Sequence, residues 1–266
     1  LRRAGACLLL VLAGCVAAAP ALSKPIGTMF RETWTTREAL PHNQVNAIVQ
    51  TQDGYLWFAT WEGLVRYNGL EFQVFDRRNV PALRDNGIRS LRVATNGALV
   101  MGTSRGGVTI LDRGRWRTYG RAEGLGQDEV MDAALDDQGR LWVGTESAGV
   151  YVLDGCTVIR HRAGGSLPSD VVYGLLPSRD GAMWVATAEG AVRFYGGRAR
   201  IHAAGEGGLP KAPVFRLAEL QDGNLYAGTE AGAFRLQGGK FVPVSDLLPR
   251  DGVTAFARDH AGALWV

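Results

Sequence analysis

The sequence predicts an all-β fold made of repeated four-stranded antiparallel units, and two observations carry that prediction. A glycine-centred motif returns six times, with its glycines at 54, 97, 139, 181, 223 and 262. The steps between them are 43, 42, 42, 42 and 39 residues, and a fixed period of this length marks an array of supersecondary units. Glycine is also in excess, at 36 of 266 residues, about twice its usual share of roughly 7%. Each unit therefore contains several tight turns.

The elements follow in order within one unit. Val45 to Val49, Val130 to Leu135, Val171 to Leu176 and Val214 to Leu220 are short apolar, β-prone runs, as a buried inner strand A requires. The glycine turn comes next, at Gly54, Gly97, Gly139, Gly181 and Gly223. Strand B lies in the motif itself, which reads Asp53-Gly54-Tyr55-Leu56-Trp57-Phe58-Ala59-Thr60 and recurs at 96–103, 138–145, 180–187 and 222–229, with a shortened copy at 261–266. It carries an aromatic at Trp57, Trp142, Trp184, Tyr226 and Trp265, with Val100 as the exception. One aromatic per unit at a fixed site is expected to pack between neighbouring units. The closing Thr60, Thr103, Thr145, Thr187 and Thr229 are expected to cap the next turn through their hydroxyls.

Strand C follows as Leu64 to Tyr67 and Val150 to Leu153. The dipeptides Asn68-Gly69, Gly196-Gly197 and Gly238-Gly239 then predict two-residue hairpins, because both central positions favour φ > 0. Strand D, seen at Glu71 to Phe75, Arg115 to Tyr119 and Lys240 to Val244, is more polar, as an outer edge is. Four antiparallel strands at this period specify a β-propeller. A β-helix needs a shorter repeat, and helical solenoids do not place hairpin dipeptides in each unit.

The propeller is expected over 26–266, which is about 5.7 periods. Met29 to Trp34, followed by Leu40-Pro41, reads as an orphan strand D that closes a terminal blade, since the same loop recurs at Leu167-Pro168, Leu209-Pro210 and Leu248-Pro249. The start at Leu1 and the end at Leu264-Trp265-Val266 read as an N-terminal fragment truncated in its sixth blade.

Residues 1–25 have the layout of a secretory signal: Arg2 and Arg3, then an uncharged stretch from Ala4 to Ser23. Leu12-Ala13-Gly14-Cys15 resembles a bacterial lipobox, in which Cys15 is lipidated. Cleavage near Ala17-Ala18-Ala19 and an uncleaved signal anchor are the open alternatives. Each predicts export to the periplasm.

Composition narrows the remaining function classes. At 46% hydrophobic and 21% charged the chain is that of a folded globular protein, not a disordered or polytopic one. Without Arg2 and Arg3 the formal charge is +1, which gives no nucleic-acid groove. Cys156 is the one cysteine beyond the leader, so no intrachain disulfide or cysteine metal cluster forms there. His42, His161, His202 and His260 fall at different repeat positions without metal-ligand spacing. The Asp of the turn is replaced by Asn96, Gln138 and Ala261, which favours a turn role over calcium binding. No catalytic residue, metal or cofactor is expected.

The string Leu40-Pro41-His42-Asn43-Gln44-Val45, with Asp53 to Gly69 after it, resembles the two-component regulator propeller repeat of bacterial sensors over roughly residues 27–266. The resemblance implies an extracytoplasmic ligand-sensing propeller, usually of seven blades and often in tandem. It also implies a membrane segment and a cytoplasmic histidine kinase or GGDEF diguanylate cyclase output, for which this chain has no motif. Fold analogy alone does not fix function. A secreted enzyme of the streptogramin-lyase type and a protein-binding scaffold are the competing readings. A lyase needs a histidine and an acid converging on one face.

In a propeller the D-to-A and B-to-C loops share one face, and the tight hairpins lie on the other. The loops that vary between repeats nominate the working face. In the B-to-C loops these are Trp61, Glu62, Ser104, Arg105, Glu146, Glu189 and Glu230, and in the first D-to-A loop His42, Asn43 and Gln44. Carboxylates, amides and an exposed Trp suit a sugar or a cationic ligand by hydrogen bonds and stacking, and the partner expected is a small molecule, sugar or peptide. A second propeller and a homodimer partner are expected through the longer protein.

Overall fold

Short apolar runs separated by glycine turns fold locally into hairpins, and the computed structural model stacks these into blades. It describes residues 32–266 except 206, 221–222, 246–251 and 259–263. The leader with Cys15 and the segment from Met29 to Arg31 lie outside the described residues.

Five four-stranded antiparallel sheets follow one another in chain order. The first blade is β1 (Val45–Gln50), β2 (Leu56–Thr60), β3 (Gly63–Tyr67) and β4 (Phe72–Phe75). The second is β5 (Ile88–Val93), β6 (Leu99–Thr103), β7 (Val108–Asp112) and β8 (Arg115–Tyr119), and the third β9 (Val130–Leu135), β10 (Leu141–Thr145), β11 (Val150–Asp154) and β12 (Thr157–His161). The fourth is β13 (Val172–Pro177), β14 (Met183–Thr187), β15 (Gly190–Tyr195) and β16 (Arg198–His202), and the fifth β17 (Val214–Glu219), β18 (Leu225–Thr229), β19 (Gly232–Gln237) and β20 (Lys240–Pro243). A hairpin of β21 (Ala257–Arg258) and β22 (Leu264–Trp265) stands at the sixth copy of the motif. The inner strands β1, β5, β9, β13 and β17 lie next to one another in sequence order and line a central channel.

The core is a set of seams between blades. Trp57 packs with Leu91 and Met101 of the next blade, Trp142 with Leu175 and Val185, and Trp184 with Leu217 and Leu225. Val100 fills the same seam between the second and third blades with Val130 and Val143. The indole N–H groups stay satisfied, since Trp57 Nε1 donates to Thr51 Oγ1 at 3.0 Å and Trp142 Nε1 to Asp136 Oδ2 at 2.8 Å. Leu83, Leu125, Leu167 and Leu209, one from each D-to-A loop, are buried, and Leu40 holds the same position before the first blade.

Five threonines hold the B-to-C turns. Thr60, Thr103, Thr145, Thr187 and Thr229 are fully buried, and each Oγ1 donates to the carbonyl of Gly63, Gly107, Gly149, Gly190 or Gly232 at 2.7 to 2.9 Å. Each also accepts a turn backbone N–H, so one hydroxyl satisfies both sides of the turn.

One turn departs from the sequence reading. Asn68-Gly69 is not a two-residue hairpin: Tyr67 pairs with Phe72, and Asn68 Oδ1 accepts from Leu70 N and Glu71 N at 2.8 and 2.7 Å, which spreads the turn over four residues. The matching turn in the second blade is a two-residue loop built on Arg113 (φ 48°) and Gly114 (φ 78°).

Glu32 to Trp34, the described part of the lead-in, are not assigned to a strand. Trp34 instead packs on Tyr67, Phe72 and Phe58 with ring centroids 4.9, 5.6 and 6.0 Å away. On the inner strand of the first blade Ile48 is 59% exposed. Leu91, Ala133, Leu175 and Leu217, at the same register, are buried against the preceding blade.

Candidate functional site

Each inner strand carries an irregularity at its second residue. In the first blade Val45 pairs with Thr60 and Ala47 with Ala59, which leaves Asn46 without a partner in the register. Arg89, Met131, Tyr173 and Phe215 are skipped in the same way in the next four blades. A bulge inserts one residue, bends the strand and re-aims that side chain. All five bulge residues line a cavity of about 1150 Å³ in the channel. The framework therefore repeats, while the residue presented at this rim changes from blade to blade.

Arg89 organises one side of the rim. Its Nη1 donates to Glu146 Oε2 at 2.9 Å, and its guanidinium lies 6.0 Å from the centre of the Trp61 ring. Its Nε is buried without a hydrogen-bond partner among the described residues. Across the rim Tyr173 and Phe215 meet edge to face, with centroids 5.4 Å apart. Asn46 Nδ2 donates to the Ile88 carbonyl at 2.8 Å and ties the first blade to the second.

A second cavity of about 620 Å³ adjoins the first, sharing Trp61 and Arg89 with it. Trp61, Glu62, Ser104 and Arg105 all line it, so the structure brings together four of the residues chosen from sequence. Its floor is held by Asp85, whose Oδ2 accepts from Ser104 Oγ at 2.6 Å and Arg105 N at 2.7 Å. Gly87 is needed there for space, because a Cβ would lie 2.6 Å from Ser104 Oγ and 3.1 Å from the Trp61 ring.

The other nominated residues sit elsewhere. Glu146 lines the large cavity through its bond to Arg89. Glu189 and Glu230 are exposed in their own turns and line neither cavity. His42 Nδ1 accepts from Gln44 N at 3.0 Å and Asn43 Oδ1 from Thr36 N at 2.8 Å, so this loop is occupied with its own geometry. Of the other histidines, His161 bonds Ser166 Oγ at 2.8 Å and stacks on Trp142, while His202 lies buried against Trp184 and Phe241. Among the described residues no group of His, Cys, Asp and Glu has the geometry of a metal site.

Sequence reasoning looked at loops and missed the bulges. The signal that could find them is the contrast at one repeat position: Asn46, Arg89, Met131, Tyr173 and Phe215 each follow an invariably β-branched Val or Ile.

Five four-stranded meanders around a lined channel define a β-propeller with a variable loop face. Residues 39–62, 124–147 and 166–189 match the family described as the two component regulator propeller. Each match runs from the loop or lead-in before a strand A through strands A and B of one blade. No curated protein matches the chain.

Among solved structures, the chain is similar to the extracellular domain of the putative hybrid two component system BT4673 of B. thetaiotaomicron, at 17% identity and a TM-score of 0.70 over 85% of this chain and 33% of that one. The corresponding domain of BT3049 from the same organism is 17% identical, with a TM-score of 0.59 over 88% of this chain and 40% of that one. Virginiamycin B lyase of Staphylococcus aureus is 15% identical, with a TM-score of 0.59 over 77% of this chain and 72% of that one. At these identities the likeness is one of fold. The chain spans between a third and two fifths of these two extracellular domains.

Proposed function

We propose that this chain is the ligand-sensing propeller of an exported bacterial signalling protein, with the loop-face rim as its sensing site. The observation that carries the reading is the ring of five bulges, in which a repeated scaffold presents five different side chains to one cavity. A scaffold that repeats while its presented residues vary suits recognition of one asymmetric small molecule, sugar or peptide. The family of the repeat and the two-component sensors with the same fold support a role in signal transduction.

The leader and its lipobox-like Cys15 fit export and attachment to a membrane. The output, a diguanylate cyclase or a histidine kinase, is then a separate part of a longer protein, with a second propeller and a homodimer partner joined through it. Binding is favoured over a lyase activity because no described histidine hydrogen-bonds a carboxylate at the rim.

The test is a thermal-shift screen against sugars and peptides, since a ligand of the native state raises its apparent stability. Compounds that stabilise the protein are expected to lose at least tenfold in affinity with the Trp61→Ala, Glu62→Ala pair. Unchanged affinity in that pair removes the rim from the assignment.

A further inference from the structure

Deeper in the channel lie charges that the rim does not use. Asp132 of β9 has a side chain only 1% exposed, yet it is fully matched. Arg92 of β5 donates to its Oδ1 at 3.1 Å and Oδ2 at 2.5 Å, and the Ala133 and Leu175 backbone N–H groups donate at 2.9 Å each. Burial pushes the Asp132 carboxyl up, but Arg92, Arg216 and the Leu175 N–H outweigh it and hold the carboxyl below its ordinary range.

Arg216 of β17 lines the same cavity and makes no side-chain hydrogen bond among the described residues. Burial lowers its pKa, the attraction of Asp132 opposes that, and the like charge of Arg92 adds to the lowering. A guanidinium nevertheless stays charged at neutral pH. Among the described residues the cavity is lined by Arg89, Arg92 and Arg216 against Asp132 and Glu146. Each carboxylate is engaged by one of the other two arginines. Arg216 is the surplus cation.

Space is left for a counter-charge. Ala47, Ser90 and Gly174 occupy the register position that Asp132 and Arg216 hold in their own strands, and a Cβ at Gly174 would meet nothing closer than 3.5 Å. A guanidinium without a hydrogen-bonded partner is costly to bury, and a cleft with a surplus of cations concentrates anions.

We propose that Arg216, with Arg92 beside it, forms an oxyanion-binding site in the channel, taking the carboxylate, phosphate or sulfate group of a small organic ligand. The guanidinium fork matches such groups with two parallel hydrogen bonds. Tyr173, Phe215 and Trp61 line the same cavity, so the remainder of the ligand would rest against aromatic faces. This assignment rests on the reading of the rim as a sensing site and adds the charge of what is sensed.

The experiment titrates inorganic phosphate and, separately, acetate into the protein at constant ionic strength held with sodium chloride. Thermal unfolding and calorimetry are read for wild type, R216Q and R115Q, the last removing an exposed outer-strand arginine. Phosphate or acetate is expected to raise the wild-type and R115Q melting temperatures above the chloride baseline, with apparent affinity at least tenfold weaker in R216Q. Without added anion, R216Q is expected to be no less stable than wild type, which separates loss of binding from loss of structure. No anion-specific stabilisation in wild type, or equal stabilisation in R216Q, overturns the site. A neutral ligand that binds wild type and is lost in Trp61→Ala leaves the sensing role standing even then.

Discussion

Arg92 and Asp132 form a two-pronged ion pair that joins the second blade to the third, and the same Arg92 Nη2 donates to the carbonyl of Leu175 in the fourth. Three adjacent blades are thus fastened at the channel wall by one guanidinium. Removing one partner of a buried pair leaves the other charge unmatched, which costs about 3–5 kcal/mol. Asp132→Ala, which strands both Arg92 and Arg216, is expected to lose that amount in urea unfolding. The double variant Arg92→Met, Asp132→Leu is expected to recover much of it.

The seam tryptophans and the rim tryptophan are expected to behave oppositely. Trp142 is 4% exposed and fills a seam between blades, so Trp142→Ala should cost about 3–5 kcal/mol. Trp61 stands at the rim, and Trp61→Ala should change stability by about 1 kcal/mol or less. Denaturant midpoints of the two variants, with equal slopes, check this.

Steric demand separates two glycines that share one backbone angle. Gly139 and Gly149 both have φ +77°, but a Cβ on Gly139 meets nothing within 4 Å, whereas one on Gly149 would lie 2.2 Å from the His161 carbonyl. Gly139→Ala is expected to cost about 1–2 kcal/mol for the left-handed backbone alone. Gly149→Ala should lose a further 1–3 kcal/mol or so, because strand β12 must move to admit the methyl group. Equal losses in thermal unfolding would contradict the close approach.

His202 gives the protein an acid-sensitive seam. Burial, then Arg200 and Arg193, lower its pKa to about 4 from 6.5, and its Nε2 has no hydrogen-bond partner among the described residues. The unfolded chain therefore binds a proton that the folded chain refuses between these values, and stability rises with pH across that window. The contribution is complete above about pH 6.5 and falls by about 3 kcal/mol as pH drops to 4. His202→Phe, which places at this strand end the residue that Phe75 supplies in the first blade, is expected to remove this slope. Parallel stability curves for the two proteins between pH 7 and 4 would refute it.

The repeat, the strand order and the aromatic seams were legible because glycine spacing and a two-residue alternation act locally and recur five times over. Trp61, Glu62, Ser104 and Arg105 were legible as loop residues because topology alone places their loops on one face. The bulges at Asn46, Arg89, Met131, Tyr173 and Phe215 were not, since a bulge is a property of pairing between two strands and leaves no fixed residue type behind. Arg92, Asp132 and Arg216 were hidden for another reason. They occupy inner strands that read as apolar runs, and their meeting depends on how three separate blades are arranged around the channel. Asn68-Gly69 misled because the asparagine side chain offers its own hydrogen bonds to the turn.

The most direct test of the rim as sensing site is amide hydrogen exchange with a compound that stabilises the protein in the thermal screen. The account predicts slower exchange in the inner strands at 46–49, 89–92, 131–134 and 173–177 and in the turns at 61–62 and 104–106, with the C-to-D hairpins at 113–114, 155–156 and 196–197 unaffected. Protection confined to those outer hairpins, with the inner strands unchanged, would contradict it.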